Sequence, residues 1–339
     1  MTTLPNPPSH TPATPDPSTD LLARLRFSEP VINAPMAGAA GGALAAAVST
    51  AGGLGMIGIG SGVAPEWIST QADLARASGR PWGAGLMAWV LEESLDPLRY
   101  LLAERPSLVC VSFGDPGPAA ELIHESGSLC AMQVGNAADL DRALEADIDV
   151  VVCRGGEGGG HGRNDVATLP LLQQTLASTD KPVIAAGGVA DSRGVAAVLA
   201  AGAQAAWIGT RFAASTESLS HDRVKRAIAG AGLDDTIFTR AFDIAQRIPW
   251  PEEFGGRALR NAFSEQWGTR EEALTAAVDA DSSITEAVNA ARRAADVSKA
   301  PVYAGQSAAR SRGGESATDI MEDLSGFRAH LLAAAQRWC

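Results

Sequence analysis

Residues 153–163 read CRGGEGGGHGR: six glycines, one carboxylate, one imidazole and two guanidinium groups within eleven positions. A stretch so poor in apolar side chains builds no core, so its composition points to a ligand or to chemistry. Glycines let the main chain approach a flat ligand where a Cβ would clash. His161 is the one side chain here that exchanges a proton near neutral pH. Glu157, four residues earlier, reads as an acceptor that fastens loop N–H groups. Arg154 and Arg163 bring positive charge to a chain of formal net charge −12.

Three further places carry chemistry. Gly187 and Gly188 stand directly before a segment that Asp191 or Ser192 can cap as a helix. Gly209 and Thr210 hold the equivalent place after the next apolar run. Paired glycines at a helix start let main-chain N–H groups close on phosphate oxygens, and the Thr210 hydroxyl is a further donor. Met36, in APMAG, offers a polarisable edge to an aromatic ligand or fills a core gap. Gln133 is a polar residue inside an apolar run and needs a partner once buried.

These residues need elements that bring them together. Eight apolar runs recur at 31–36, 53–59, 82–87, 108–113, 129–134, 149–153, 182–187 and 204–209. Stretches of helical composition separate them, at 42–51, 65–78, 95–104, 118–126, 137–145, 169–178 and 192–201, with an eighth at 215–229. Runs that are continuously apolar, not alternating, are buried on both faces, as in parallel sheets covered by helices. Eight such units predict an α/β fold, a (β/α)₈ TIM barrel, over the rival doubly wound sheet. Barrel chemistry sits after the C-terminal ends of strands, often with a phosphate site after strands 7 and 8, which is where these motifs fall.

The regular alternation stops near Ala229. Residues 233–300 read as a small, mainly helical substrate or cap domain inserted near the C-terminal end, within a barrel of residues 23–232 and 301–339. Residues 1–22, rich in Pro, Ser and Thr, read as a disordered tail without a signal peptide. Ile320, Leu324, Phe327 and Leu331 recur at the spacing of an amphipathic helix that Ser316, three residues before Asp319, can cap.

Composition excludes several classes. The acidic balance argues against nucleic-acid binding. The four cysteines (Cys110, Cys130, Cys153, Cys339) show no CxxC pair and no metal-ligand spacing, so no metal is expected and a reducing cytoplasm fits. Three of them sit in or at the end of apolar runs and read as small buried hydrophobes. No run of about 18 apolar residues suggests a membrane span.

APMAGAAGGALAAAVSTAGGLG (34–55), GGEGGGHGR (155–163), AAGGVADSRGVAAVLAAGAQAAWIGTRF (185–212) and VYAGQS (302–307) together resemble the nitronate monooxygenase family, formerly called 2-nitropropane dioxygenases. WPEEFGGRALRN (250–261) resembles members that carry the same second segment. The resemblance implies FMN as cofactor, a TIM barrel, and oxidation of alkyl nitronates by O₂. It implies His161 as the catalytic histidine. Gly187, Gly188, Gly209 and Thr210 then form the FMN phosphate cradle, Gly159 the loop glycine on the cofactor, and Met36 and Gln133 flavin contacts. Arg163, Tyr303 and Gln306 border the substrate pocket, with the arginines adding charge for an anionic nitronate. Two positions depart from the family: Gly85 stands for the usual asparagine near the flavin, and Arg154 for a glutamine or aspartate. Enoyl-acyl carrier protein reductases share these loops, so an NAD(P)H oxidoreductase is the alternative. Expected partners are a small anionic substrate and O₂, with a homodimer left open.

Overall fold

The structure, a computed structural model, describes residues 20–338. Eight parallel strands occupy the eight apolar runs: β1 (Val31–Asn33), β2 (Gly55–Gly58), β3 (Trp82–Met87), β4 (Leu108–Ser112), β5 (Leu129–Val134) and β6 (Val150–Arg154), then, after a short β7 (Gly160–Gly162), β8 (Val183–Ala186) and β9 (Ala205–Ile208). They are ordered β1-β9-β8-β6-β5-β4-β3-β2. The ring closes between β1 and β2, where the Leu54 N–H donates to the Val31 carbonyl at 3.0 Å. The buried Asn33 amide completes that seam: its Nδ2 donates to the Met56 carbonyl and its Oδ1 accepts from the Met56 N–H, each at 2.8 Å. Side-chain amides thus replace missing rungs of the ladder. The chain is the TIM barrel that its alternation predicts.

Strand residues alternate between two cores. Ile32, Met56, Cys110, Ala131, Val152, Ile184 and Trp207 fill the barrel, while Val109, Cys130, Met132, Val151 and Ala185 pack under the helices. Leu21 and Leu25, on a helix capped by Asp20, plug the lower end of the interior. The tail assigned to 1–22 therefore ends earlier: residues 20–22 are already structured, because Leu21 has apolar surface to cover, and 1–19 lie outside the described residues. Cys110, Cys130 and Cys153 are free and buried, and Cys339 lies outside the described residues.

One expectation is extended and one corrected. Residues 233–300 hold four helices and, beside them, two strands: β10 (Thr236–Thr239) and β11 (Gly255–Leu259) form an antiparallel sheet whose third strand is β7, inside the glycine-histidine loop. A Gly-His-Gly strand has no β-branched or alternating signal, since its pairing comes from main-chain bonds alone. Helices Ala241–Gln246, Ala262–Trp267, Glu271–Ala280 and Ser283–Arg293 cover that sheet around Phe242, Phe263, Leu274, Val278 and Val288. At the C-terminus, the expected single helix is two, Ala317–Ser325 and Phe327–Trp338, separated at Gly326. Ser316 and Asp319 cap the first reciprocally.

Candidate active site

The C-terminal ends of the barrel strands carry the glycine-histidine loop, and buried charge holds it in shape. Arg154, the last residue of β6, turns its guanidinium into the loop and donates to the carbonyls of Gly158 (2.6 Å), Gly160 (3.0 Å), Gly159 (3.2 Å) and Arg163 (2.9 Å). Arg257 of β11 donates to the Gly156 carbonyl at 2.8 Å and to Asn164 Oδ1 at 2.6 Å. The Glu157 carboxylate accepts from the main-chain N–H and the hydroxyl of Thr168, the fastening role its position suggests. Burial, and then the neighbouring Arg257, push the Arg154 guanidinium down to about 10, so it still carries its charge at neutral pH. The loop is therefore cationic within an acidic protein.

His161, in β7, projects from this frame against Asp243 of the helix Ala241–Gln246, with Nε2 and Oδ1 2.9 Å apart. Trp250 stacks face to face on its imidazole, ring centroids 3.7 Å apart and planes 5° apart. Tyr303 flanks the ring at 5.0 Å and donates from its hydroxyl to the same Asp243 oxygen at 3.4 Å. Burial, then the Asp243 charge, hold the Tyr303 phenol well above its ordinary range, so it stays a donor. Asp243 Oδ2 and Trp89 Nε1 are buried without a hydrogen-bond partner. Trp89 and Phe113 edge onto Trp250, and Phe254 onto Phe113, forming an aromatic wall at the mouth.

The remaining predicted residues join this centre through close main-chain approaches. A Cβ on Gly159 would lie 2.5 Å from the nitrogen of Gly305, so the VYAGQS segment lies directly against the loop. Gly305 N–H donates to Thr210 Oγ1 at 2.9 Å, and Gln306 N–H to the Glu157 carbonyl at 3.0 Å. The side chain of Gln306 is exposed. Gly187 (φ +98°) touches Gly155, whereas Gly188 (φ +72°) is exposed, with only Glu157 carbons within 4 Å of a notional Cβ. A Cβ on Gly209 would lie 3.4 Å from Met36 Sδ. Gln133 points inward at the top of β5, partly exposed and without a hydrogen bond from its amide.

Three expectations change. Arg154 does not face a ligand, because its donors are committed to loop carbonyls. Gly85 lies under Pro35, whose Cγ would be 2.4 Å from a Cβ there, so packing alone calls for glycine and leaves no room for the asparagine usual at this place. Arg163 is not free positive charge: its fork grips Asp139 at 2.9 and 3.1 Å and stacks over Phe254. Conversely, sequence reasoning missed Asp243, Trp250 and Arg257. Asp243 carried one usable signal, a lone carboxylate in the apolar run AFDIA, and Trp250 and Arg257 lie in the WPEEFGGRALRN stretch, whose resemblance pointed to the segment and not to these two side chains.

The arrangement suits a flat anionic cofactor with a phosphate tail. Gly188 leaves main chain open, and the Met36 thioether and Ala34 stand 3.4 and 3.5 Å from where a Cβ on Gly209 would lie. Among the described residues no group of His, Cys, Asp and Glu is arranged to hold a metal. No helix among them is long and apolar enough to cross a membrane.

Comparison with known proteins gives a coherent result. A family model described as nitronate monooxygenase matches residues 92–326. The nitronate monooxygenase of Paraburkholderia phytofirmans is 32% identical over 292 residues, covering 72% of this chain and 77% of that protein. The (3aS,4S,5R,7aS)-5-hydroxy-7a-methyl-1-oxo-octahydro-1H-indene-4-carboxyl-CoA dehydrogenase of Rhodococcus jostii is 35% identical over 228 residues, which span 66% of this chain and 63% of that protein. Among solved structures, FabK from Thermotoga maritima superposes with a TM-score of 0.80 at 28% identity, over 95% of this chain and 99% of that one.

Proposed function

The chain belongs to the nitronate monooxygenase family of oxidoreductases, and from that premise we propose that it oxidises alkyl nitronates with O₂, using FMN, to carbonyl compounds and nitrite. The observation that carries the reading is His161, held on a cationic glycine loop beside open main chain at Gly188. The main-chain N–H groups of Gly187, Gly188 and Gly209 and the Thr210 hydroxyl would hold the FMN phosphate. Met36, Gln133 and Gly159 would meet the rest of the cofactor. When bound, FMN supplies the electron-accepting chemistry.

The chain's own residues supply position and charge. A nitronate is already an anion, and the two guanidinium groups of Arg154 and Arg257 make the loop attractive to it without touching it. Trp89, Phe113 and Trp250 exclude water from the mouth, which strengthens that attraction. His161 binds the nitro group when protonated, and for a neutral nitroalkane it takes the α-proton. Tyr303 borders the same pocket. Residues 233–300 act as the cap that supplies Trp250 and Phe254 of the aromatic wall, and Asp243.

A second reading, an NAD(P)H-dependent oxidoreductase acting on an enoyl thioester, draws support from the Rhodococcus relative, which is named for a CoA thioester. An anaerobic absorbance experiment separates the two. Flavin bands that bleach on adding a nitronate and return on aeration support the first. Bands that ignore nitronate and bleach with NAD(P)H support the second. A colourless protein that takes up no FMN on reconstitution overturns both.

A further inference from the structure

We propose that Asp243 is the positioning residue of His161: it keeps the ring proton on Nε2, and so makes Nδ1 the atom that takes or gives a proton to substrate. This rests on the reading above for the identity of the substrate, but not for the state of the ring. A carboxylate only accepts, so the 2.9 Å contact requires a hydrogen on Nε2. In the neutral imidazole the other nitrogen then carries the lone pair. The carboxylate depends on this contact. Its Oδ2 is buried without a partner, and its other donor, the Tyr303 hydroxyl, is at 3.4 Å. Losing the hydrogen from Nε2 would leave a buried carboxylate without a near donor, so the tautomer is locked.

The ring has no freedom to reverse this assignment. Trp250 covers one face, Tyr303 flanks it, and the backbone of His161 is paired with Gly256 of β11. The charged groups around it are Asp243 from the helix, Tyr303 from the C-terminal segment, Arg154 donating to the adjacent Gly160 carbonyl, and Arg257 opposite Gly160. Among the described residues Asp243 is the one carboxylate hydrogen-bonded to the ring.

A division of labour follows. With neutral His161, a nitroalkane loses its α-proton to Nδ1: the C–H bond breaks, its electron pair stays on the substrate as the nitronate, and the imidazolium formed is paired with Asp243. A nitronate added as such meets a donor at Nδ1 only when the ring is already protonated. The two substrates therefore call for opposite protonation states of His161, the neutral ring for a nitroalkane and the protonated ring for a nitronate.

The test is ¹⁵N NMR of the full chain labelled at its five histidines, with H161N identifying the signals of His161. The expected wild-type result for the neutral ring is a protonated Nε2 and a lone-pair Nδ1. In Asp243→Asn the amide can donate to Nε2, and the pattern should reverse or mix; Asp243→Glu should restore it. Turnover of nitroalkane should drop at least tenfold in D243N, and that of nitronate less. A wild-type neutral ring protonated at Nδ1 overturns the proposal even if D243N fails to fold. So does a D243N protein with unaltered ring signals and turnover. Because the ring signals need neither flavin nor substrate, they decide this inference independently of the nitronate reading.

Discussion

The indole of Trp250 lies flat on the imidazole of His161, 3.7 Å between centroids and 5° from parallel. Prolines on both sides of Trp250 stiffen the segment that presents it. One face of the histidine is thereby closed, and the plane in which its nitrogens lie is set by a residue 89 positions away in the chain (250 − 161).

Replacing that indole should cost precision more than stability. An aromatic pair of this kind contributes about 0.5–1.5 kcal/mol beyond its area. Trp250→Ala should lower kcat by roughly tenfold, about 1.4 kcal/mol of barrier, with flavin content unchanged. Trp250→Phe should stay close to wild type. Steady-state rates alongside the flavin absorbance of each purified variant check this; an inert W250A substitution would remove the stack from the mechanism.

Arg154 should behave as a structural residue. Arg154→Met leaves four loop carbonyls without a buried donor, a loss of about 3 kcal/mol or more. Arg154→Lys should recover only part, since an ammonium cannot reproduce the planar fork. Thermal unfolding followed by circular dichroism measures both. A methionine variant that melts with the wild type would show that the loop holds without the guanidinium.

The two glycines after β8 should separate folding from cofactor binding. Gly187→Ala places a Cβ 2.8 Å from Thr168 Oγ1 and 2.9 Å from the Gly155 carbonyl, at φ +98°. It should lower both stability and FMN retention. Gly188→Ala meets nothing closer than 3.6 Å, so its folding cost is the left-handed conformation alone, about 1–2 kcal/mol. FMN retention should still fall, because the new methyl stands on the open main chain. Equilibrium dialysis against FMN, with melting curves, distinguishes the cases; full retention in G188A would move the phosphate elsewhere.

Acid should weaken the fold through two identified carboxyls. Burial pushes Asp149 up, but the Cys130 N–H, Arg24 and His124 together bring it below the usual carboxylate range. Asp191 is likewise raised by burial and lowered further by the Gly194 N–H and Arg310. A depressed carboxyl stabilises the folded state above its unfolded value and loses that contribution as pH falls through its folded value. Melting temperature should therefore hold from neutral pH to about pH 4 and fall below it. Asp191→Asn should be less stable at neutral pH and show a flatter acid limb; an identical limb would acquit Asp191.

Thiol reagents report on the barrel core. Burial pushes Cys110 up to about 12 and Cys153 up to about 11, and raises Cys130 as well. All three should resist a disulfide reagent in the native protein and react on unfolding. Rapid labelling of any of them without denaturant would contradict the packing described.

Much of the fold was legible because its signals are local. Continuous apolar runs mark strands buried on both faces, and each of the eight runs holds its strand. Ser316 and Asp319 sit three apart and cap the helix they precede. Glu157 could be read as a fastener because its partner, Thr168, lies only eleven residues on, at the start of the helix Thr168–Ser178 that follows the loop. The surroundings of Gly85 and Arg154 escaped the sequence in a common way. Their neighbours Pro35 and the loop carbonyls arrive from turns whose direction no residue type encodes.

By itself the sequence determined the barrel, the rim on which the glycine loops stand, the acidic balance and the histidine at the centre. These follow from composition and period over a few residues, which physics reads one element at a time. Only the tertiary structure decided which groups surround that histidine. Asp243 is 82 residues from His161 in the chain, and it arrives because β11 pairs with β7 and carries the helix Ala241–Gln246 to the barrel mouth. That Arg154 turns to loop carbonyls and Arg163 to Asp139 was settled in the same way, by which groups become neighbours only once the chain has closed.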